Sequence, residues 1–115
     1  MKVLIDTSVI VNYLRVGGDN VEWIISTVSV GELFGGASAQ EGGRQRGVID
    51  LVLGGMEVVP LDYETAKLAG RLKFDYQMSL ADAFIAATTL NQGLHLATLN
   101  KKHFVKVSGL KFYGE

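Results

Sequence analysis

The chain has 115 residues, enough to bury one ordinary hydrophobic core but not two. It is 48% hydrophobic and 20% charged with a formal net charge of -1, the composition of a folded soluble domain without the global basic field that draws in nucleic acid unaided. It has no cysteine, which excludes disulfides and thiolate metal sites, leaves any metal to oxygen ligands and fits a cytosolic address.

The opening "MKVLIDTSVIV" pairs a Lys with an apolar run as a secretory leader does, but Asp6 interrupts the run and no small-residue cleavage site follows. No apolar stretch reaches the roughly 18 residues that a membrane span needs. Within that opening, "KVLID" (2–6) is a short continuous apolar run, the pattern of a strand buried on both faces of a parallel sheet. "TSVIVNYLR" (7–15) follows as a helix, and "GGDN" breaks the chain before the apolar "VEWIIS" (21–26). A second helix carries "VSVGELFGGA" (28–37). Glycine doublets at 17 and 18, 35 and 36, 42 and 43, and 54 and 55 punctuate the first half, and none forms a nucleotide-binding fingerprint. After "MEVVPLD" (56–62), with Pro60 ending a strand, Asp62 is placed to cap a helix over "YETAKLAGRLKF". "LADAFIAATTL" (80–90) is the third long helix, and "LHLATL" (94–99) and "FVKV" (104–107) read as strands joined by a lysine-rich turn.

Strands alternating with helices imply βαβ units, and so a mostly parallel sheet with helices on both faces. Ligands in such folds collect outside the carboxyl ends of the strands. Asp6 ends the first strand and Asn100 lies just past "LHLATL", while Glu32 and Asp82 come early in helices. Four separated segments are thus expected to converge on one rim.

Each acid also has a structural explanation. Asp82 is three residues after Ser79 and Glu32 three after Ser29, the spacing of a capping box, and Asp6 before "TS" suits an N-cap. The helix around Asp82 weighs the other way, because Leu80, Phe84, Ile85, Ala86 and Ala87 make it apolar nearly all round, as a buried helix is. A buried carboxylate needs a partner, and no Lys or Arg lies at helical spacing from Asp82. A hard divalent cation shared with Asp6 and Glu32 meets that need, since Mg²⁺ and Mn²⁺ prefer carboxylate oxygens and water.

"VLIDTSVIV", "ISTVSVGEL", "SLADAFIAATTL" and "LATLNKKHF", in that order, resemble the four characteristic segments of PIN domains, above all the small VapC-type toxins of toxin–antitoxin pairs. The resemblance covers almost the whole chain. It implies an α/β/α sandwich, one PIN-like domain over residues 1–115, and a metal-dependent ribonuclease that is commonly a homodimer neutralised by a small VapB-like antitoxin. By position, Asp6, Glu32 and Asp82 match the family's acidic metal ligands for Mg²⁺ or Mn²⁺. Thr98 and Asn100 match the fourth segment, where many relatives carry an aspartate in place of Asn100. Asn100 is then a residue that orients a ligand or an attacking water, and Thr7 or Ser8 bonds the metal shell, a phosphate or the helix start. Arg15, Arg44, Arg46, Lys101, Lys102 and Lys106 are the candidate contacts to an RNA backbone. His95 and His103 lack zinc-ligand spacing and read as structural or surface residues. The competing reading is a PIN-like module that binds protein or RNA without cutting it, and the missing fourth acid is its main support.

Overall fold

A computed structural model of the protein describes residues 1–12, 21–36 and 40–114, with 11 and 12 as backbone only. Four strands, β1 (Lys2–Ile5), β2 (Glu22–Ser26), β3 (Glu57–Val59) and β4 (His95–Ala97), form one sheet in the order β3-β2-β1-β4. Every pairing is parallel, so all four carboxyl ends share one edge, and the expected α/β/α architecture is present.

The alternation of side chains along β1 and β2 builds both faces of the sandwich. Leu4 and Ile24 point to one side, into a core completed by Ala69, Leu72, Ile85, Ala86, Leu96 and Phe104. Val3, Ile5, Trp23 and Ile25 point to the other, against Val9, Ile10 and Val52. A central strand with apolar residues at successive positions is thereby buried on both faces, as its composition requires. The first face is covered by α3 (Tyr63–Tyr76) and α4 (Leu80–Asn91), and the second by α2 (Arg46–Leu53) and a 3-10 helix over Thr7–Asn12.

Caps set where the helices begin. Ser26 Oγ accepts the amide of Val28 at the start of α1 (Thr27–Phe34), Asp62 Oδ1 accepts Thr65 N–H at 2.8 Å, and Ser79 Oγ accepts Asp82 N–H at 3.1 Å. Gln92 and Gly93 then turn α4 directly into β4. Gly93 has φ of +64°, which a side chain would disfavour.

The expected first helix over 7–15 is a 3-10 helix as far as Asn12, and its remainder lies outside the described residues. The helix expected over 28–37 spans 27–34. The strand expected at 104–107 is absent: the 3-10 turn Lys101–His103 runs on into further turns, with Val105 N–H on Lys101 O and Val107 N–H on Phe104 O. Phe104 and Val107 are buried at 0% and 4% exposure while Val105 is 64% exposed, so the buried positions recur every three residues and not every two. The helix α2 has no counterpart in the sequence reading, its apolar positions being hidden among glycines.

Candidate metal and phosphodiester site

The carboxyl edge of the sheet gathers the segments that carry the candidate residues. Asp6 follows β1 directly and Thr98 follows β4, while α1 starts at the end of β2. The placement of α4 follows from connectivity. Because β4 is parallel to β1 and only a short turn separates it from α4, the carboxyl end of α4 lies at the amino edge of the sheet. Its first turn, with Asp82, therefore lies toward the carboxyl edge.

Asp6 is the hub. It is 6% exposed, and its Oδ2 accepts the hydroxyls of Thr98 at 2.7 Å and Ser8 at 3.0 Å. Thr98 Oγ1 in turn accepts the Asn100 amide at 3.0 Å, and Ser8 Oγ the Leu99 amide at 3.1 Å. Two chain segments separated by 92 residues in sequence are tied through one carboxylate. Asp6 does occupy a cap position, since its carbonyl accepts Val9 N–H, but its side chain is spent across the sheet edge. Among the described residues no basic side chain pairs with it, and two hydroxyl donors leave a buried carboxylate with a charge to be met.

Glu32 sits next to this hub. The α1 helix packs on the 3-10 helix, and Thr7 Oγ1 donates to Glu32 Oε1 at 2.8 Å. The capping-box explanation of Glu32 fails, because the cap of α1 is Ser26 and Glu32 comes more than a turn later. Ser29 is instead fully buried in the helix, its hydroxyl without a hydrogen-bond partner among the described residues.

Asp82 faces elsewhere than its sequence neighbours suggested. The body of α4 is buried as expected, but Leu80 is 45% exposed and the Asp82 side chain is 27% exposed. Ser79 caps the helix through the Asp82 amide, while the Asp82 carboxylate lies 3.4 Å from His103 Nδ1. His103 is therefore a neighbour of a candidate site residue, and the sequence reading missed it. Its signal was its place in "NKKHF", on the turn that leaves the fourth strand beside Asn100. Asp82, Ser79, Lys102, His103 and Lys106 line an open cleft of about 330 Å³.

The structure thus joins Asp6, Ser8, Thr98 and the Asn100 backbone, joins Glu32 to Thr7, and joins Asp82 to His103. The Asn100 side chain is exposed. Among the described residues no three His, Asp or Glu side chains are drawn together as a cage for a metal ion. The donor chemistry nevertheless suits a hard divalent cation: three carboxylates on segments of one rim, one of them buried without a basic partner among the described residues. Of the basic candidates, Arg46 pairs with Asp50 and covers the Phe34 ring, and Lys101 lies over Phe112. Arg44 is exposed, and Arg15 lies outside the described residues. Among the described residues the acid with a shifted pKa is a helix cap: Asp62 is held below the usual carboxylate range by the Thr65 amide that it caps.

Known proteins extend this geometry. The family model for the PIN domain matches residues 3–110. The chain is 33% identical to "Ribonuclease VapC10" of Mycobacterium tuberculosis, across 95% of this chain and 90% of that one. It is 32% identical to "Ribonuclease VapC1" of Methanocaldococcus jannaschii, across 97% and 87%. Among solved structures, VapBC2 from Rickettsia felis bound to a promoter DNA fragment shares the fold at a TM-score of 0.80 and 20% identity, covering 97% of both chains. A toxin-antitoxin complex from Klebsiella pneumoniae does so at 0.74 and 24%, covering 94% of both. With the family's model spanning nearly its whole length and two relatives above 30% identity across most of it, the chain belongs to the PIN domain family, and those relatives are named VapC ribonucleases.

Proposed function

We propose that this protein is a metal-dependent endoribonuclease, the toxin of a type II toxin–antitoxin pair acting in the cytosol on RNA. The observation that carries the reading is the Asp6 hub: a carboxylate buried at the carboxyl edge of the sheet, oriented by hydroxyls from two distant segments and free of any basic partner among the described residues. Asp6, Glu32 and Asp82 would hold Mg²⁺ or Mn²⁺, and such an ion supplies Lewis-acid stabilisation of the charge that develops on a phosphodiester. The chain's own part is positioning. Ser8 and Thr98 fix Asp6, Thr7 fixes Glu32, and Asn100, exposed beside them, orients a ligand or the attacking water. Hydrolysis needs no covalent nucleophile from the protein, and the sequence carries no serine elbow or thiol that would supply one.

The named relatives support ribonuclease activity, and the solved neighbours, which are toxin–antitoxin complexes, support a VapB-like antitoxin. We extend this to a homodimer. On α2, Leu51 is 73% and Val48 51% exposed, apolar area of the kind that protein partners cover.

Two observations favour the binding-module reading: Asn100 stands where an acid would complete the set, and Asp82 is engaged by His103. Incubation of the purified protein with RNA separates the two readings. Cleavage with Mg²⁺ or Mn²⁺ that stops in excess EDTA is the expected result. Cleavage that persists in EDTA refutes the metal mechanism, and binding without cleavage under either metal establishes the module.

A further inference from the structure

Overall charge offers RNA nothing, but its distribution does. Residues 101–111 hold Lys101, Lys102, Lys106 and Lys111, four of the chain's 11 basic residues, and none of its 12 acids. The remaining residues are net acidic. This basic strip leaves the end of β4, so it begins at the same rim as Asp6 and Thr98.

The strip is held in place from beneath. Phe104 at 0% and Val107 at 4% exposure are plugs in the core. Ser108 N–H bonds Tyr76 Oη at 3.2 Å, and His103 Nδ1 reaches the Asp82 carboxylate. With Phe104 and Val107 pinned inward at a spacing of three, the turn leaves Lys102, His103 and Lys106 exposed together. Lys102 and Lys106 line the cleft whose opposite wall is the first turn of α4, Asp82 included. Neither lysine is in an ion pair among the described residues, unlike Arg46, Lys67 and Arg71, which are matched by acids on their own helices.

We propose that this cleft is a subsite for the RNA backbone next to the bond to be cut, with Lys102 and Lys106 as its two phosphate contacts and the Asp82–His103 contact fixing the turn that bears them. The assignment rests on the ribonuclease reading and adds the path of the substrate: a strand gripped by the two lysines passes over Asp82 to reach the Asp6 hub. Two ammonium groups held on a preorganised turn supply attraction without base preference. Among the described residues no Phe, Tyr or Trp lines the cleft, so it lacks the large stacking surface that grips bases.

The test compares wild type with Lys102→Ala/Lys106→Ala and with Lys67→Ala/Arg71→Ala, which removes the same charge from α3. A fluorescein-labelled single-stranded oligouridine of about 12 nucleotides, long enough to span such a groove, is titrated by anisotropy in EDTA over a NaCl series. Its cleavage in Mg²⁺ is followed in parallel. The expected result is weaker binding by the Lys102/Lys106 variant, with the slope of log K against log [NaCl] shallower by about 1.4, roughly 0.7 for each lost phosphate contact on a single strand. Its cleavage should show a raised KM at little-changed kcat, and the α3 variant should match wild type in both assays. The subsite is overturned if the two double variants behave alike. It is overturned also if wild type cleaves in Mg²⁺ yet does not bind in EDTA, because a cationic subsite does not need the metal. A wild type that neither binds nor cleaves RNA overturns the ribonuclease reading, and the subsite with it.

Discussion

Thr98→Val probes the hub with the least disturbance of shape. Valine replaces the hydroxyl by a methyl group of similar size, so no cavity opens and β4 keeps its packing. What is lost is the 2.7 Å bond from Thr98 Oγ1 to Asp6 Oδ2. A hydrogen bond to a charged group contributes about 1.5–3 kcal/mol, and Asp6, at 6% exposure, has little access to water that would replace it. Ser8 remains as a donor at 3.0 Å, which holds the loss toward the lower end. The Asn100 amide loses its acceptor as well, but Asn100 is exposed and water takes that place. We therefore expect about 2 kcal/mol, which for a domain of this size is a fall in Tm of about 8 °C, at about 4 °C per kcal/mol. Differential scanning calorimetry in EDTA measures it, and Thr98→Ser, which restores the donor, should recover most of the loss. A Thr98→Val protein that melts within about 1 °C of wild type, against the roughly 4 °C per kcal/mol expected, would refute the claim that this bond holds the carboxylate.

Asp82→Asn distinguishes a metal ligand from a helix-terminus acid. In EDTA it should change stability by less than about 1 kcal/mol, since a partly exposed contact such as that with His103 is worth little. A metal that binds only the folded site raises Tm; the rise expected for wild type in millimolar Mg²⁺ should be mostly lost in the variant, and retention of the full rise makes Asp82 structural. A third expectation concerns acid. Because the folded-state pKa of Asp62 is lowered by the Thr65 amide, its contribution is fully present above the unfolded value and is lost as pH falls through the lowered one. The Tm advantage of wild type over Asp62→Asn should therefore be constant near neutrality and shrink below about pH 4. An advantage that stays constant to pH 2 would contradict the cap assignment.

Short-range chemistry was legible in the sequence and long-range placement was not. The buried strand β1 and the Asp62 cap follow from residues within a few positions of one another and stand as expected, whereas of the capping box at Ser79 the Ser79 half stands and the Asp82 carboxylate turns to His103. The hub was legible in part, because strand ends in a parallel sheet share an edge and Asp6 and Thr98 both end strands. That Thr98 bonds Asp6, and that Thr7 and not a helix cap engages Glu32, depends on register across the sheet, which composition does not encode. The 104–107 segment misleads because "FVKV" satisfies an alternating pattern equally well, whereas the structure buries Phe104 and Val107 alone. His103 escaped notice for a related reason: a histidine acquires its partner from another element, here the first turn of α4. The α2 helix was hidden by its setting, with Gly47 inside it and glycine doublets on either side.

The order in which the sheet is strung has a consequence for the birth of the protein. Its central strand β1 is made first and pairs with β4, made nearly last, and Asp6 must wait for Thr98, 92 residues later. At roughly 5–20 residues per second, a ribosome carries an acid without its partner for about 5–20 seconds. Throughout that time the nascent polypeptide has no fourth strand, no seat for the basic turn and no donor from across the sheet edge for the Asp6 carboxylate. The site proposed to cut RNA thus cannot assemble on a chain still short of Thr98, and a message that ends before that codon encodes no nuclease at all.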